Sequence, residues 1–567
     1  MMLWMGSCGG GTATRGAQET TFSGDRELAT VSEAFYAGYL EHEPNSAAGL
    51  GYHQYDGRVP DVSEAALQAR IAFYRRYRDA FETIDDASLS PRARVELAVL
   101  EASVRGELFA LEDLRGPWRN PMSYSGGLSL LNYVSRDYKP VTERAQSIIQ
   151  IADQARAYVT QADANLVQEI PRTWLDTALL QVNGMISFAR EDVVPALDGL
   201  AAEARVPLEA ALERLALALE WFKARLEARR PHVNDAYALG PELFLKMLAD
   251  TQSVAMSLDT LEAVGRADLE RNLLAIREAA RLADPNRSVE QIVAEVAADR
   301  PIPADVFGVA DRQVTETRRF VVEHDIASIP ADEVALVRPS PAFMRWNSAF
   351  LDTPGPFETQ PLPSFYYISP PDPAWPEQQQ REYMPGTADL LFTSVHEVWP
   401  GHFLHYLHID RNESIVLRSF GNYAMTEGWA HYAEQMMFDE GLGNQDPRVH
   451  VGQLLNALLR NVRYLSAIGL HARSMTVEES QRAFREQAFQ DEATARQQAV
   501  RGTFDPMYLS YTLGKLMIAQ LRDDMRARDG AAFSLGRFHD AFLSYGSAPI
   551  PVIRTAMLGP NAGPALR

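Results

Sequence analysis

From residue 26 onward, apolar side chains recur at helical intervals. Leu28, Val31, Phe35 and Leu40 follow one another at steps of three, four and five, with Glu27, Glu33 and Glu41 between them. That spacing is the stripe of an amphipathic helix. Segments 63–86, 91–114, 141–165, 206–229 and 256–283 repeat it, rich in Ala, Leu, Glu and Arg. Segment 206–229 carries Pro207 near its start, where a helix tolerates proline. Asn120-Pro121, Asp284-Pro285-Asn286 and Pro301-Ile302-Pro303 punctuate the pattern as turns. The rhythm breaks over 338–385, which holds Pro339, Pro341, Pro354, Pro356, Pro361, Pro363, Pro370, Pro371, Pro373, Pro376 and Pro385. Inside it, Ser364-Phe365-Tyr366-Tyr367-Ile368-Ser369 is short, aromatic and bounded by prolines, which predicts an edge strand. Helical patterning resumes at 386 and continues to 557.

The pattern predicts a mainly α chain in four parts. These are an N-terminal stretch over 1–24, a helical lobe over 25–337, an extended Pro-rich segment over 338–385 and a second helical lobe over 386–567. No fixed-period repeat suggests a solenoid. A length of 567 residues agrees with more than one lobe, since single cores stop growing near ~250–300 residues.

Charge and cysteine usage narrow the function. Acidic residues outnumber basic ones 75 to 54, for a net charge of −21, and no Lys/Arg-rich run appears. Nucleic-acid binding, which rests on neutralising phosphates, is therefore not expected. No apolar run is long enough for a transmembrane helix. A single cysteine excludes a disulfide framework and a Cys-rich zinc site. That residue, Cys8, follows Met1-Met2-Leu3-Trp4-Met5-Gly6-Ser7 and precedes Gly9-Gly10-Gly11, which resembles the end of a bacterial lipoprotein signal. A basic leading region and a full-length apolar stretch are missing from it. Residues 1–24 are accordingly expected to be signal-like or disordered, with Cys8 a lipid-anchor candidate. The matching location is periplasmic or membrane-anchored, with the cytoplasm as the alternative.

The chemistry concentrates in two short motifs. His396-Glu397-Val398-Trp399-Pro400-Gly401-His402 contains a histidine, a neighbouring glutamate and a second histidine six positions on. The generic zinc signature spaces its histidines four apart on one helix face. Six residues on a regular helix would turn the rings apart. Pro400-Gly401 can absorb the extra two residues as a kink or bulge and return His402 to the face of His396. Downstream, Glu427, His431 and Glu434 fall at i, i+4 and i+7 of a second helix. A His396/His402/Glu427 set would leave a fourth position open, as catalytic zinc requires. Glu397 then suits the general base. Glu434 suits the group that orients a ligand histidine, and His431 an outer position with a hydrogen bond toward substrate. His405 and His408 are read as surface residues. The bland alternative is a helix of non-ligating histidines opposite a solvated acidic face.

The two motifs together closely resemble a bacterial family known as domain of unknown function 885. Leu50-Gly51-Tyr52-His53-Gln54-Tyr55-Asp56 resembles its N-terminal signature, while Gly469-Leu470-His471, Tyr511-Thr512-Leu513-Gly514-Lys515 and Phe538-His539-Asp540-Ala541-Phe542-Leu543 resemble its C-terminal ones. Departures fall at Phe403 and His405, where many members have His and Gln, and at Ser466, where an Asp is frequent. The resemblance implies a zinc metallopeptidase-like protein. Its Glu-Gly-Trp-Ala motif is similar to the Glu-Gly-Phe-Ala of aminopeptidase gluzincins, which implies Glu427 as third zinc ligand. It also implies two helical lobes flanking a deep cleft, as in thimet oligopeptidase and angiotensin-converting enzyme-like peptidases, with the 364–369 strand aligning an extended short peptide.

An oxyanion-stabilising group is then needed near the metal. Tyr511 is the first candidate and His471 the second. Arg460, Arg463 and Lys515 are candidates for receiving a substrate carboxylate. Two other functions share these motifs: a zinc hydrolase of non-peptide amides or esters, and a non-catalytic helical binding protein.

Overall fold

The computed structural model describes residues 22–341, 344 and 348–566, so Cys8 and the anchor expectation attached to it lie outside the described residues. The fold is mainly helical, with one three-stranded sheet. The periodic segments become helices whose starts follow local chemistry. Glu64–Glu82 begins after Ser63, which accepts from the Ala66 N–H, and Pro91–Leu108 begins after Ser90, which accepts from the Ala93 N–H. Each cap satisfies one of the backbone donors that a helix start leaves unpaired. Val141–Asn165 (α1) matches its predicted span, while Ala202–Glu227 (α2) starts a turn earlier than expected and contains Pro207. Leu258–Ala283 (α3) is capped by Ser257.

The buried apolar residues form two principal clusters. One gathers Val62 and residues from Tyr124 to Leu226, around α1 and α2. The larger one runs from Leu28 to Leu566 and draws on both sides of the Pro-rich segment. None of the helices among the described residues is long and apolar enough to cross a membrane.

The sheet consists of β1 (Ala335–Pro339), β2 (Ala349–Asp352) and β3 (Ser364–Ile368), in the order β1-β3-β2. β3 runs parallel to β1, with Ala335 opposite Ser364, and antiparallel to β2, with Ala349 opposite Ile368. The 364–369 segment is therefore the central strand, and the edge-strand expectation is corrected. Its flanking prolines, Pro363 and Pro370, fall just outside the paired span and remove no ladder hydrogen bond.

Five further helices build the site: Thr387–Glu397 (α4), His402–Asp410 (α5), Tyr423–Asp439 (α6), Pro447–Ala472 (α7) and Ser510–Asp529 (α8). α6 and α8 touch backbone to backbone at Gly428 and Gly514. A Cβ on Gly428 would run into Gly514, and one on Gly514 into the Ala424 carbonyl. Close approach, rather than turn geometry, explains a glycine in each of these two motifs. α3, α7 and α8 meet around a buried polar network. Lys515 donates to Asp268 Oδ2 at 2.8 Å, Asn461 donates to the same oxygen at 2.7 Å, and Asn272 donates to Asn461 Oδ1 at 2.7 Å.

Candidate metal centre

The six-residue histidine spacing is resolved by ending one helix and starting another. α4 stops at Glu397, the linker 398–401 turns, and α5 begins at His402. The Gly401 N–H returns to the Val395 carbonyl at 3.0 Å. A Cβ at Gly401 would collide with the His396 carbonyl, so the turn closes only with glycine there. Trp429 ties this linker to α6 by donating from Nε1 to the Pro400 carbonyl at 2.8 Å.

The result is convergence of His396, His402 and Glu427. Both His396 Nε2 and His402 Nε2 lie 3.4 Å from Glu427 Oε2. One ligand atom from each of the three falls within 4.8 Å of the others. Two atoms each bound at about 2.0–2.1 Å to a shared tetrahedral ion sit roughly 3.3 Å apart, so the spacing suits zinc. The donor set does too: two imidazoles and one carboxylate. Glu427 Oε2 is buried and has no hydrogen-bond partner among the described residues. Burial raises the Glu427 pKa, but His402 and His396 outweigh it and hold the carboxylate well below its usual range. Burial alone would lower the His396 pKa; Glu427 and Glu434 reverse this and lift it to about 9. A metal at this position would displace that proton.

Glu434 meets the other face of His396, with Oε1 2.7 Å from Nδ1. Arg460 lies 3.1 Å from the same oxygen, and Glu434 itself is fully buried. A carboxylate there keeps the proton on Nδ1 and leaves Nε2 free to ligate. His431 Nδ1 lies 3.5 Å from Glu434 Oε2, and the ring is completely buried. Burial pushes its pKa down to about 3, so the ring is neutral.

Glu397 projects from the end of α4, and its Oε2 accepts the Leu351 N–H of β2 at 2.9 Å. Burial raises its pKa above the usual carboxylate range. The segment that follows β2 is in turn held at Phe357 and Glu358 by the Leu50–Asp56 motif. His53 bridges Asp56 at 3.2 Å and Glu358 at 2.9 Å, the Phe357 N–H donates to the Leu50 carbonyl at 2.9 Å, and the Tyr52 ring stacks on Phe357. Tyr511 stacks near His396, with ring centroids 6.3 Å apart and 19° between planes. Burial and the Glu427 charge raise its pKa, so the hydroxyl stays protonated.

Other candidates lie elsewhere. His471 Nε2 pairs with the Gly502 carbonyl at 2.7 Å, and its ring stacks on Phe244. It stands eleven residues beyond Arg460 on α7, roughly 16 Å of helix rise, and the structure does not bring it to the cluster. His405 was expected at the surface but is fully buried, 3.1 Å from the Gly546 carbonyl, because α5 is enclosed by neighbouring helices. His408 is half-buried and pairs with the Ser328 carbonyl at 3.0 Å. Lys515 is committed to Asp268, and Arg460 to Glu434. The Leu351 N–H, which positions Glu397, carried no sequence signal because any residue except proline supplies it.

Two solved structures share the fold. A candidate lipoprotein of unknown function from Shewanella oneidensis has a TM-score of 0.78 at 24% identity, covering 94% of this chain and 99% of its own. A candidate lipoprotein from Colwellia psychrerythraea has a TM-score of 0.79 at 17% identity, with the same coverage of 94% and 99%. No curated protein matches the chain. The family model for a bacterial protein of unknown function, DUF885, matches residues 44–557, nearly the whole chain, and the protein belongs to that family.

Proposed function

We propose that the protein is a zinc-dependent metallopeptidase that hydrolyses short peptides. The observation that carries the reading is the convergence of His396, His402 and Glu427 on one point, with a buried unpartnered carboxylate oxygen and Glu397 alongside. The reading keeps the two-lobed, clefted architecture that the motifs resemble in thimet oligopeptidase-like enzymes. It also keeps a periplasmic or lipid-anchored location through Cys8, supported by the candidate lipoproteins that share the fold.

His396, His402 and Glu427 would hold the ion. Zinc, when bound, supplies Lewis acidity and makes water a usable nucleophile near neutral pH. Glu434 fixes the His396 tautomer by accepting its Nδ1 proton. Glu397, steadied at Oε2 by the Leu351 N–H, takes a proton from the attacking water and passes it to the leaving amine. The Tyr511 hydroxyl donates to the oxyanion that develops on the scissile carbonyl. No covalent enzyme intermediate is required.

The test is hydrolysis of a short-peptide library by zinc-loaded wild type and Glu397→Gln. Wild type should cleave peptides, and the variant should lose about 10³-fold in rate while retaining its zinc. An unchanged rate in Glu397→Gln would remove the base. Cleavage of esters or non-peptide amides alone would replace the peptide substrate.

A further inference from the structure

Five arginines are deeply buried among the described residues: Arg144, Arg229, Arg460, Arg463 and Arg554. Three spend both terminal guanidinium nitrogens on the protein, and a fourth, Arg554, spends one. Arg144 reaches the Tyr133 carbonyl and Asp137, and Arg229 reaches Asp163 and the Leu166 carbonyl. Arg460 reaches Asn456 and Glu434 with its two terminal nitrogens, whereas Arg554 reaches Asp524 and the Ala562 carbonyl with Nη2 alone and its Nη1 has no hydrogen bond among the described residues. Arg463 differs. Its Nε donates to Gln498 at 2.8 Å, but neither terminal nitrogen has a hydrogen bond or ion pair among the described residues. Yet the residue is only 8% exposed. Its neighbours supply no counter-charge to spare. Arg501 already holds Asp505 at 2.8 Å, and Glu434 is held by Arg460.

The residual exposure of Arg463 is at these two terminal nitrogens, so the fork stands open to solvent while the rest of the side chain is buried, and a ligand would replace water there. The place of Arg463 says which ligand. Its guanidinium carbon sits 5.0 Å from the centre of the Tyr511 ring, and that ring stacks on His396. Arg463 is thus one aromatic ring away from the candidate metal centre. Its paired terminal N–H groups are a planar fork, which matches a carboxylate.

We infer that Arg463 receives a carboxylate of the substrate close to the scissile bond, so that the site favours peptides bearing a free carboxylate there. The inference rests on the peptidase reading of the neighbouring cluster. The carboxylate is either the chain terminus or an acidic side chain, and both make the same two hydrogen bonds. Among the three basic residues named from the sequence, Arg460 and Lys515 are excluded because Glu434 and Asp268 already occupy them.

The test is equilibrium binding by calorimetry in a Glu397→Gln background, so that turnover does not interfere. Two probe pairs are used: an N-acetylated tripeptide as free acid and as C-terminal amide, and a tripeptide amide carrying Glu or Gln. One pair should show its carboxylate form binding about 30-fold more tightly, the weight of a charge-assisted hydrogen-bond pair, and which pair does so identifies the source. Adding Arg463→Met should abolish that preference, while Arg463→Lys should leave it several-fold weaker, since an ammonium cannot make the fork. If Arg463→Met fails to fold, Arg463→Lys decides, and an unchanged preference there overturns the inference. Equal binding within both pairs, or a preference that survives Arg463→Met, overturns it as well. Peptide turnover by the otherwise native protein is measured separately. A carboxylate preference without any turnover would sink the peptidase reading alone, and turnover without preference would sink only the role of Arg463.

Discussion

α7 and α8 contribute to two buried polar networks built on opposite terms. At Asp268 the charge is answered on the spot. Lys515 and Asn461 donate to one oxygen, Arg271 pairs with the other, and Asn272 completes Asn461. At Glu427 the carboxylate faces two histidines at 3.4 Å, and its buried Oε2 has no hydrogen bond. His402 Nδ1 and His431 Nε2 likewise have no hydrogen bond, and only Nε of Arg463 has one. Both networks bear the cost of burying charge, but only the first is closed in charge by cations of the chain itself, Lys515 and Arg271, even though Asp268 Oδ1 has an ion pair and no hydrogen bond. The lesson concerns how to read a protein interior. A closed network holds helices together, whereas an open one has been left incomplete for something that binds.

The contrast can be broken from the closed side first, where the effect should be largest. Lys515→Met strands Asp268 in the interior and should cost about 3 kcal/mol of stability in urea unfolding. Zinc content should stay at the wild-type level. A variant as stable as wild type would show that the Asp268 network does not anchor α3 to α8.

From the open side, Glu434→Gln should leave the fold intact and weaken zinc binding about 10- to 100-fold, the usual weight of a carboxylate behind a ligand histidine. Competition against a chelator reads the affinity. Zinc affinity unchanged in Glu434→Gln would place Glu434 among the structural groups instead.

The smallest effect is in the pH dependence of the closed network. Burial would raise the Asp268 pKa, but Lys515 and Arg271 outweigh it and bring it from 3.8 down to about 2. A depressed carboxylate contributes stability that is complete above the ordinary pKa and is lost as pH falls through the folded one. The contribution of Asp268 should therefore be full above about pH 4 and fade toward pH 2, by on the order of 2 kcal/mol. Urea titrations of wild type and Asp268→Asn between pH 5 and pH 2 should show their difference shrinking over that window. A difference that stays constant would mean that Asp268 has no depressed pKa.

Much of this architecture was readable in advance, for physical reasons that also mark where reading stopped. Helical periodicity is local, so α1 and α3 appear almost where Val141 and Leu258 suggested. His396, His402, Glu427 and Glu434 could be grouped because each pair sits on a short motif whose geometry is dictated by neighbouring residues. Pro400 and Gly401 signalled a distortion, although the chain answers with two helices instead of one bent helix. What depends on distant partners was invisible. β3 reads as an edge until β1 and β2 flank it. Asp268 and Lys515 are 247 residues apart, and nothing in either segment names the other. His405 reads as exposed from α5 alone but is buried once the Gly546 region covers it. Arg463 became distinctive only beside four buried arginines that each commit at least one terminal nitrogen to the protein.

The central claim is that His396, His402 and Glu427 together hold one zinc ion. Elemental mass spectrometry of wild type and His402→Ala, each loaded with zinc and then dialysed, tests it most directly. The expected result is about one zinc per chain in the wild type and little in the variant, because two remaining ligands cannot hold a tetrahedral site closed. Equal zinc in both, or none in either, would contradict it.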